Sequence, residues 1–190
     1  MIRHLSLFSA TLFVSSFLLS SPGSSQEHNP YTSLQDREIR ALSQAEMEGL
    51  LEGAGLGMAL TAELNGVPGP LHVLELATEL ELTPEQRDAT ERLFDRMNAR
   101  AREIGQEVLD SEAELERRFR HQHMDPETLA ELGRRIGVLR GDLRVTHLQA
   151  HLDMLPILTP DQVEQYLDLR GYDTLGVDDQ EMDHGHHPHL

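Results

Sequence analysis

The sequence predicts an all-α fold: a long antiparallel helical hairpin, with short N-terminal helices before it and a C-terminal hook helix after it. Three observations carry that expectation. One phrase occurs twice, as Leu82-Thr83-Pro84-Glu85-Gln86 and Leu158-Thr159-Pro160-Asp161-Gln162, and each copy has the chemistry of a helix start. Thr is the N-cap, Pro takes the first helical position, the acid faces the positive end of the dipole, and Gln three residues on reaches back to the cap N–H. Between the copies, apolar residues recur at helical spacing in two long stretches, as amphipathic helices require. Those stretches are separated by His121-Gln122-His123-Met124-Asp125-Pro126, a turn that caps the returning helix.

In order along the chain, Arg3 and the uncharged run Leu5 to Leu19, followed by small residues at Ser20, Ser21, Gly23, Ser24 and Ser25, have the layout of a secretory signal peptide over residues 1–25. Cleavage is expected between Ser20 and Gln26, which leaves no stable membrane insertion and places the protein in the periplasm. Residues 26–42 are a polar N-terminal segment. Ser43-Gln44-Ala45-Glu46 is a further capping box, opening a helix with Met47, Leu50, Leu51, Ala54 and Met58 on one face. Gly53, Gly55 and Gly57 weaken that helix; a phosphate loop is set aside because no strand precedes them. Asn65-Gly66-Val67-Pro68-Gly69-Pro70 is a break, and a short helix is expected over Leu71 to Leu80.

The long helix is expected over Pro84 to Arg120, with Leu93, Met97, Ala101, Ile104, Val108, Leu115 and Phe119 as its stripe and a length of about 55 Å at the helical rise. The return helix runs to about Leu155, with Leu129, Leu132, Ile136, Leu139 and Leu143 as its stripe. A last helix, Pro160 to about Arg170, ends the helical domain 43–172. Residues 173–190 form an acidic, His-rich tail.

Composition excludes several functions. There is no Cys, so neither disulfide nor thiolate chemistry is available, and no Lys, so all sixteen basic residues are Arg. Trp is absent and aromatics are 4% of the chain, which leaves the core to aliphatic side chains. The formal net charge of −17 makes nucleic acid an unsuitable partner. No nucleophile motif, phosphate loop or closed catalytic metal motif occurs, so no enzyme and no organic cofactor are expected.

The histidines are the candidate metal ligands. His147 and His151 are four apart and point the same way from one helix, a spacing that can chelate a metal. Around them a second stripe, Val145, Leu148, Leu152 and Leu155, is rotated by more than about 100° from the first. A helix with two apolar faces touches two neighbours, so the pair is expected at a three-helix seam. His72 and Glu75 on the short helix would add ligands if that helix closes the seam, and Met154 is a soft donor nearby. Imidazole with carboxylate or thioether suits Zn, Ni, Co or Cu. The alternative is that both histidines are hydrogen-bonded packing residues. In the tail, His184, His186, His187 and His189 among carboxylates make a second candidate, either weakly metal-binding or simply solvated. His121 and His123 read as exposed turn residues beside the arginines of the hairpin tip.

The twin Leu-Thr-x-x-Gln phrases on helix starts, in an exported helical chain, resemble the LTxxQ family of periplasmic proteins, the Spy/CpxP-like chaperones and related heavy-metal sensor and resistance proteins. Ala62-Glu63-Leu64-Asn65-Gly66, Pro68-Gly69-Pro70, His72-Val73-Leu74-Glu75-Leu76 and Leu167-Asp168-Leu169-Arg170-Gly171-Tyr172 are similar to members of that wider group. The resemblance implies a hooked helical hairpin, often a homodimer, acting in envelope stress or metal response without catalysis. The leading expectation is a protein that binds metal through histidines or modulates an envelope sensor. The alternative is an ATP-independent holdase for unfolded periplasmic proteins. The chaperones' basic concave surface has no counterpart in so acidic a chain, where only the hairpin tip is basic.

Overall fold

A computed structural model describes residues 31–172. The expected signal peptide and the histidine-rich tail lie outside the described residues. A 3-10 turn spans Thr32–Leu34, and a compact unit begins at Leu34. It is all helical: α1 (Gln44–Glu52), α2 (Leu60–Glu63), α3 (Pro70–Glu75), α4 (Pro84–Arg120), α5 (Pro126–Met154) and α6 (Pro160–Arg170). α4 and α5 pack along one another as the hairpin.

The helix starts follow from their caps. Ser43, Thr83 and Thr159 each sit in extended backbone, accept from the N–H three residues on, and complete a reciprocal capping box. Asp125 caps α5 by accepting from the N–H groups of Glu127 and Thr128. The N-terminal part departs from its sequence pattern. α1 stops at Gly53, which takes a left-handed conformation (φ +70°) that glycine adopts without a Cβ penalty, so Ala54 and Met58 fall beyond the helix. α3 is shorter than expected and gives way to turns before Glu81, and α2 is an additional helical turn.

α1 lies close on α4 because α4 supplies what the α1 C-terminus lacks. Asn98 Nδ2 donates to the Glu52 carbonyl at 2.8 Å and Arg102 Nε to the Leu51 carbonyl at 3.1 Å, satisfying acceptors that a helix end leaves free. Gly105 makes the approach possible: a Cβ there would lie 2.2 Å from the Leu50 carbonyl oxygen.

Two apolar clusters fill the interior. One joins Ile39, Leu42 and Leu50 to Ala101, Ile104, Val108, Leu109, Leu139 and Leu143. The other, at the base of the hairpin, joins Val73, Leu80, Leu93, Ala150, Met154, Leu158 and Tyr166. Both motif leucines pack in the basal cluster, Leu158 within it and Leu82 against it. The second stripe of α5 has a different fate from the one its pattern implies. Val145, Leu152 and Leu155 remain exposed, because the neighbouring short helices cover only the histidine side.

The two phrases meet at the base. Gln86 Nε2 donates to Gln162 Oε1 at 2.8 Å, and Gln162 Nε2 donates to Gln86 Oε1 at 3.1 Å. Each amide oxygen also accepts from its own cap N–H, that of Thr83 or Thr159, at 3.0 Å. The remaining N–H groups reach the carbonyls of Ile157 and Leu80. The phrases are thus a mutual clasp as well as helix starts.

Replacing Gly105 with Ala should cost about 2 kcal/mol or more, because the obstructing atom is backbone and α1 must move off α4. Gly133, with nothing within 4 Å of its missing Cβ, should gain up to about 1 kcal/mol as Ala. Urea unfolding of the two variants checks the pair; equal effects would contradict the packing described.

Candidate functional site

The seam predicted around His147 and His151 forms where the two apolar clusters meet. Both rings leave α5 between Leu143 of one cluster and Met154 of the other, and both are buried, at 5% and 8% exposure. The loop after α1 passes His147 at Gly55, and the 67–69 loop passes His151. The ring of His151 occupies the place a Cβ at Gly69 would take, 2.8 Å from Nε2. This glycine is therefore needed for close approach and not for a turn.

His151 Nδ1 lies 2.7 Å from the Val67 carbonyl oxygen. A carbonyl only accepts, so Nδ1 carries a proton, and in the neutral ring the lone pair is then on Nε2. That arrangement, one ring N–H anchored on backbone and the other nitrogen basic, is the one histidine adopts as a metal ligand. His147 makes no hydrogen bond, and its Nε2 is buried without a partner. Burial first, and the neighbouring His151 second, hold its pKa below the ordinary histidine value.

The third group at the seam is Glu63, at the end of α2 and 5% exposed. Oε1 accepts from Tyr166 Oη at 2.6 Å, Arg170 Nε at 3.2 Å and Tyr172 Oη at 3.3 Å. Oε2 has no hydrogen bond and lies 4.0 Å from His151 Nδ1. Arg170 supplies the countercharge that so buried a carboxylate needs. Burial, reinforced by the bond to Glu63, raises the Tyr166 pKa far above its usual value and keeps it a donor.

Sequence reasoning placed the histidines and missed Glu63. One usable signal was present: two of the three tyrosines in the chain and one arginine sit at 166, 170 and 172, a run of donors in need of an acceptor. His72 and Glu75 pair with each other, 2.8 Å apart, with the glutamate side chain 57% exposed; no bond joins them to the seam histidines. Met154 is packed in the basal cluster. His184, His186, His187 and His189 lie outside the described residues. Among the described residues, no three or more His, Asp or Glu side chains are assembled as a metal centre. At the hairpin tip, Glu114, Arg117, Arg118, His121 and His123 line an open cavity of about 430 Å³, where Glu114 pairs with both arginines.

The depressed pKa of His147 fixes the sign of a pH effect. The unfolded chain takes up the proton more readily than the folded one, so the stability due to this group is present above the unfolded histidine pKa, about 6.5, and is lost as pH falls below it. Urea midpoints measured with chelator between pH 7.5 and 5 should fall more steeply for the wild type than for His147→Gln. Parallel profiles would show that the ring is not held neutral by its burial.

Residues 57–165, more than half of the chain, match the family described as heavy-metal resistance. No curated protein and no solved structure matches the chain significantly. Among the described residues, no helix is long and apolar enough to cross a membrane. The match runs from the α1–α2 loop into α6 and covers the hairpin with its buried histidines: the chain belongs to the heavy-metal resistance family.

Proposed function

We propose that this chain is an exported, non-enzymatic metal-response protein of the LTxxQ type, acting in the periplasm after removal of its signal peptide. In this reading the seam takes a divalent transition metal through His147 and His151, and the loaded or empty state is what an envelope sensor reads. The observation that carries it is the pair of buried polar atoms without hydrogen-bond partners, His147 Nε2 and Glu63 Oε2, the latter 4.0 Å from the Nδ1 of His151. Buried polar atoms are almost always satisfied, and a cation would satisfy both kinds of lone pair. Imidazole nitrogen with one carboxylate suits Zn, Ni, Co or Cu. Glu63 takes the role that the sequence pattern offered to His72 and Glu75.

Calorimetric titration of untagged, metal-stripped protein with Zn, Cu, Ni and Co tests this reading. A submicromolar site should be present in the wild type, persist when residues 183–190 are deleted, and vanish in the His147→Ala/His151→Ala double variant. At a hundredfold excess of metal over Kd the wild type should gain about 2.7 kcal/mol of stability. Unchanged stoichiometry and affinity in the double variant would remove the seam from consideration.

A further inference from the structure

The arginines and histidines of the hairpin tip take no part in the seam or the clasp. Glu114, Arg117, Arg118 and His121 follow one another at steps of three, one and three residues, so they share one face at the end of α4. The turn adds a fifth group. Gln122 takes a left-handed conformation (φ +57°), and the N–H groups of Gln122 and His123 donate to the carbonyls of Phe119 and Arg118, which is the Schellman pattern. The chain folds back, the rings of His121 and His123 lie 6.4 Å apart, and the five side chains line a cavity of about 430 Å³.

Donors around this cavity outnumber acceptors. Glu114 accepts from Arg118 Nε at 2.6 Å and pairs with Arg117 through its other oxygen, so one carboxylate holds two guanidinium groups side by side. Each guanidinium has five N–H donors, and Glu114 takes one from each. The groups that would oppose an anion are already engaged. At the negative end of the α4 dipole, the carbonyls of Arg117, Arg118 and Phe119 accept from N–H groups of the turn. Glu116 is paired with Arg40 and Arg120, and both oxygens of Asp125 accept bonds that cap α5. Two arginines against one glutamate leave the lining at +1 with neutral imidazoles and +3 with both protonated.

We propose that the tip is a binding site for a phosphate group, held by the free N–H groups of Arg117 and Arg118, with His121 and His123 donating from the turn. Planar N–H forks bond the oxygens of a phosphate in pairs, and each imidazole adds a donor and, when protonated, a charge. The net charge of −17 does not decide against it. At physiological salt, charges farther than about 8 Å are largely screened, so the lining sets the local field. Two sources carry this chemistry: a free phosphate or diphosphate, and the headgroup of an anionic lipid.

Two probes, applied to metal-stripped full-length protein at about 150 mM salt, test the site and separate its sources. One is calorimetric titration with pyrophosphate. The other is co-sedimentation with phosphatidylglycerol/phosphatidylcholine vesicles, compared with phosphatidylcholine alone. The wild type should bind pyrophosphate with a sub-millimolar Kd, or the phosphatidylglycerol vesicles in preference to phosphatidylcholine. Arg118→Gln/His123→Gln should weaken that binding at least tenfold with helicity retained. Arg134→Gln/Arg135→Gln removes two charges from α5 outside the cavity lining and should stay within twofold of the wild type. Binding of pyrophosphate without vesicles supports the site and assigns it to free phosphates; preference for phosphatidylglycerol vesicles supports it and assigns it to headgroups. Failure to bind either probe would overturn the proposal. So would binding that survives in Arg118→Gln/His123→Gln, or an equal loss in the two double variants, which would reduce the tip to diffuse charge.

Discussion

The reciprocal amide pair of Gln86 and Gln162 is the interaction on which the rest of the structure depends. Two side chains 76 residues apart use both N–H donors and accept twice at each oxygen. Nothing is left over, which is the condition under which a partly buried polar group stabilises instead of costing. The pair ties the start of α4 to the start of α6, and the carbonyls of Leu80 and Ile157 tie in the segments that lead to each. Without it, the hairpin would be open at the end where its two connections enter.

The consequence reaches the seam through α6. Gln162, Tyr166 and Arg170 are spaced four apart, so they share one face of that helix. Fixing Gln162 on Gln86 fixes the angle at which Tyr166 and Arg170 arrive at Glu63. Glu63 in turn sets Oε2 beside His151. The clasp and the candidate metal site are thus two ends of one polar face on an 11-residue helix. A phrase that reads as helix punctuation is also what directs Tyr166 and Arg170 to Glu63.

How much of this was legible follows from the range of each interaction. Caps are local, so Thr83, Asp125 and Thr159 disclosed the bounds of the three helices they open almost to the residue. The inner stripes of α4 and α5 disclosed the hairpin, and the four-residue spacing put His147 and His151 on one face of α5, where the loops at Gly55 and 67–69 pass them. The relation of Gln86 to Gln162 was not legible, nor was that of Glu63 to Tyr166, 103 residues apart. Each half of those pairs looks like an ordinary polar residue on an acidic helical surface. Val145, Leu152 and Leu155 misled for the converse reason: an apolar pattern predicts burial, and these side chains remain exposed. α1 was overextended because Gly53 terminates it through backbone conformation, which apolar spacing does not record.

A double-mutant cycle on the clasp, with Gln86→Ala, Gln162→Ala and the double variant compared by urea unfolding, tests the central claim most directly. If the amides act as one unit, either single substitution should cost about 2 kcal/mol. The second substitution should then add little, giving a coupling energy of about 1–2 kcal/mol. Costs that add to within about 0.5 kcal/mol would show the two glutamines to be independent helix caps, and the account of a clasp that orients α6 and the seam would be wrong.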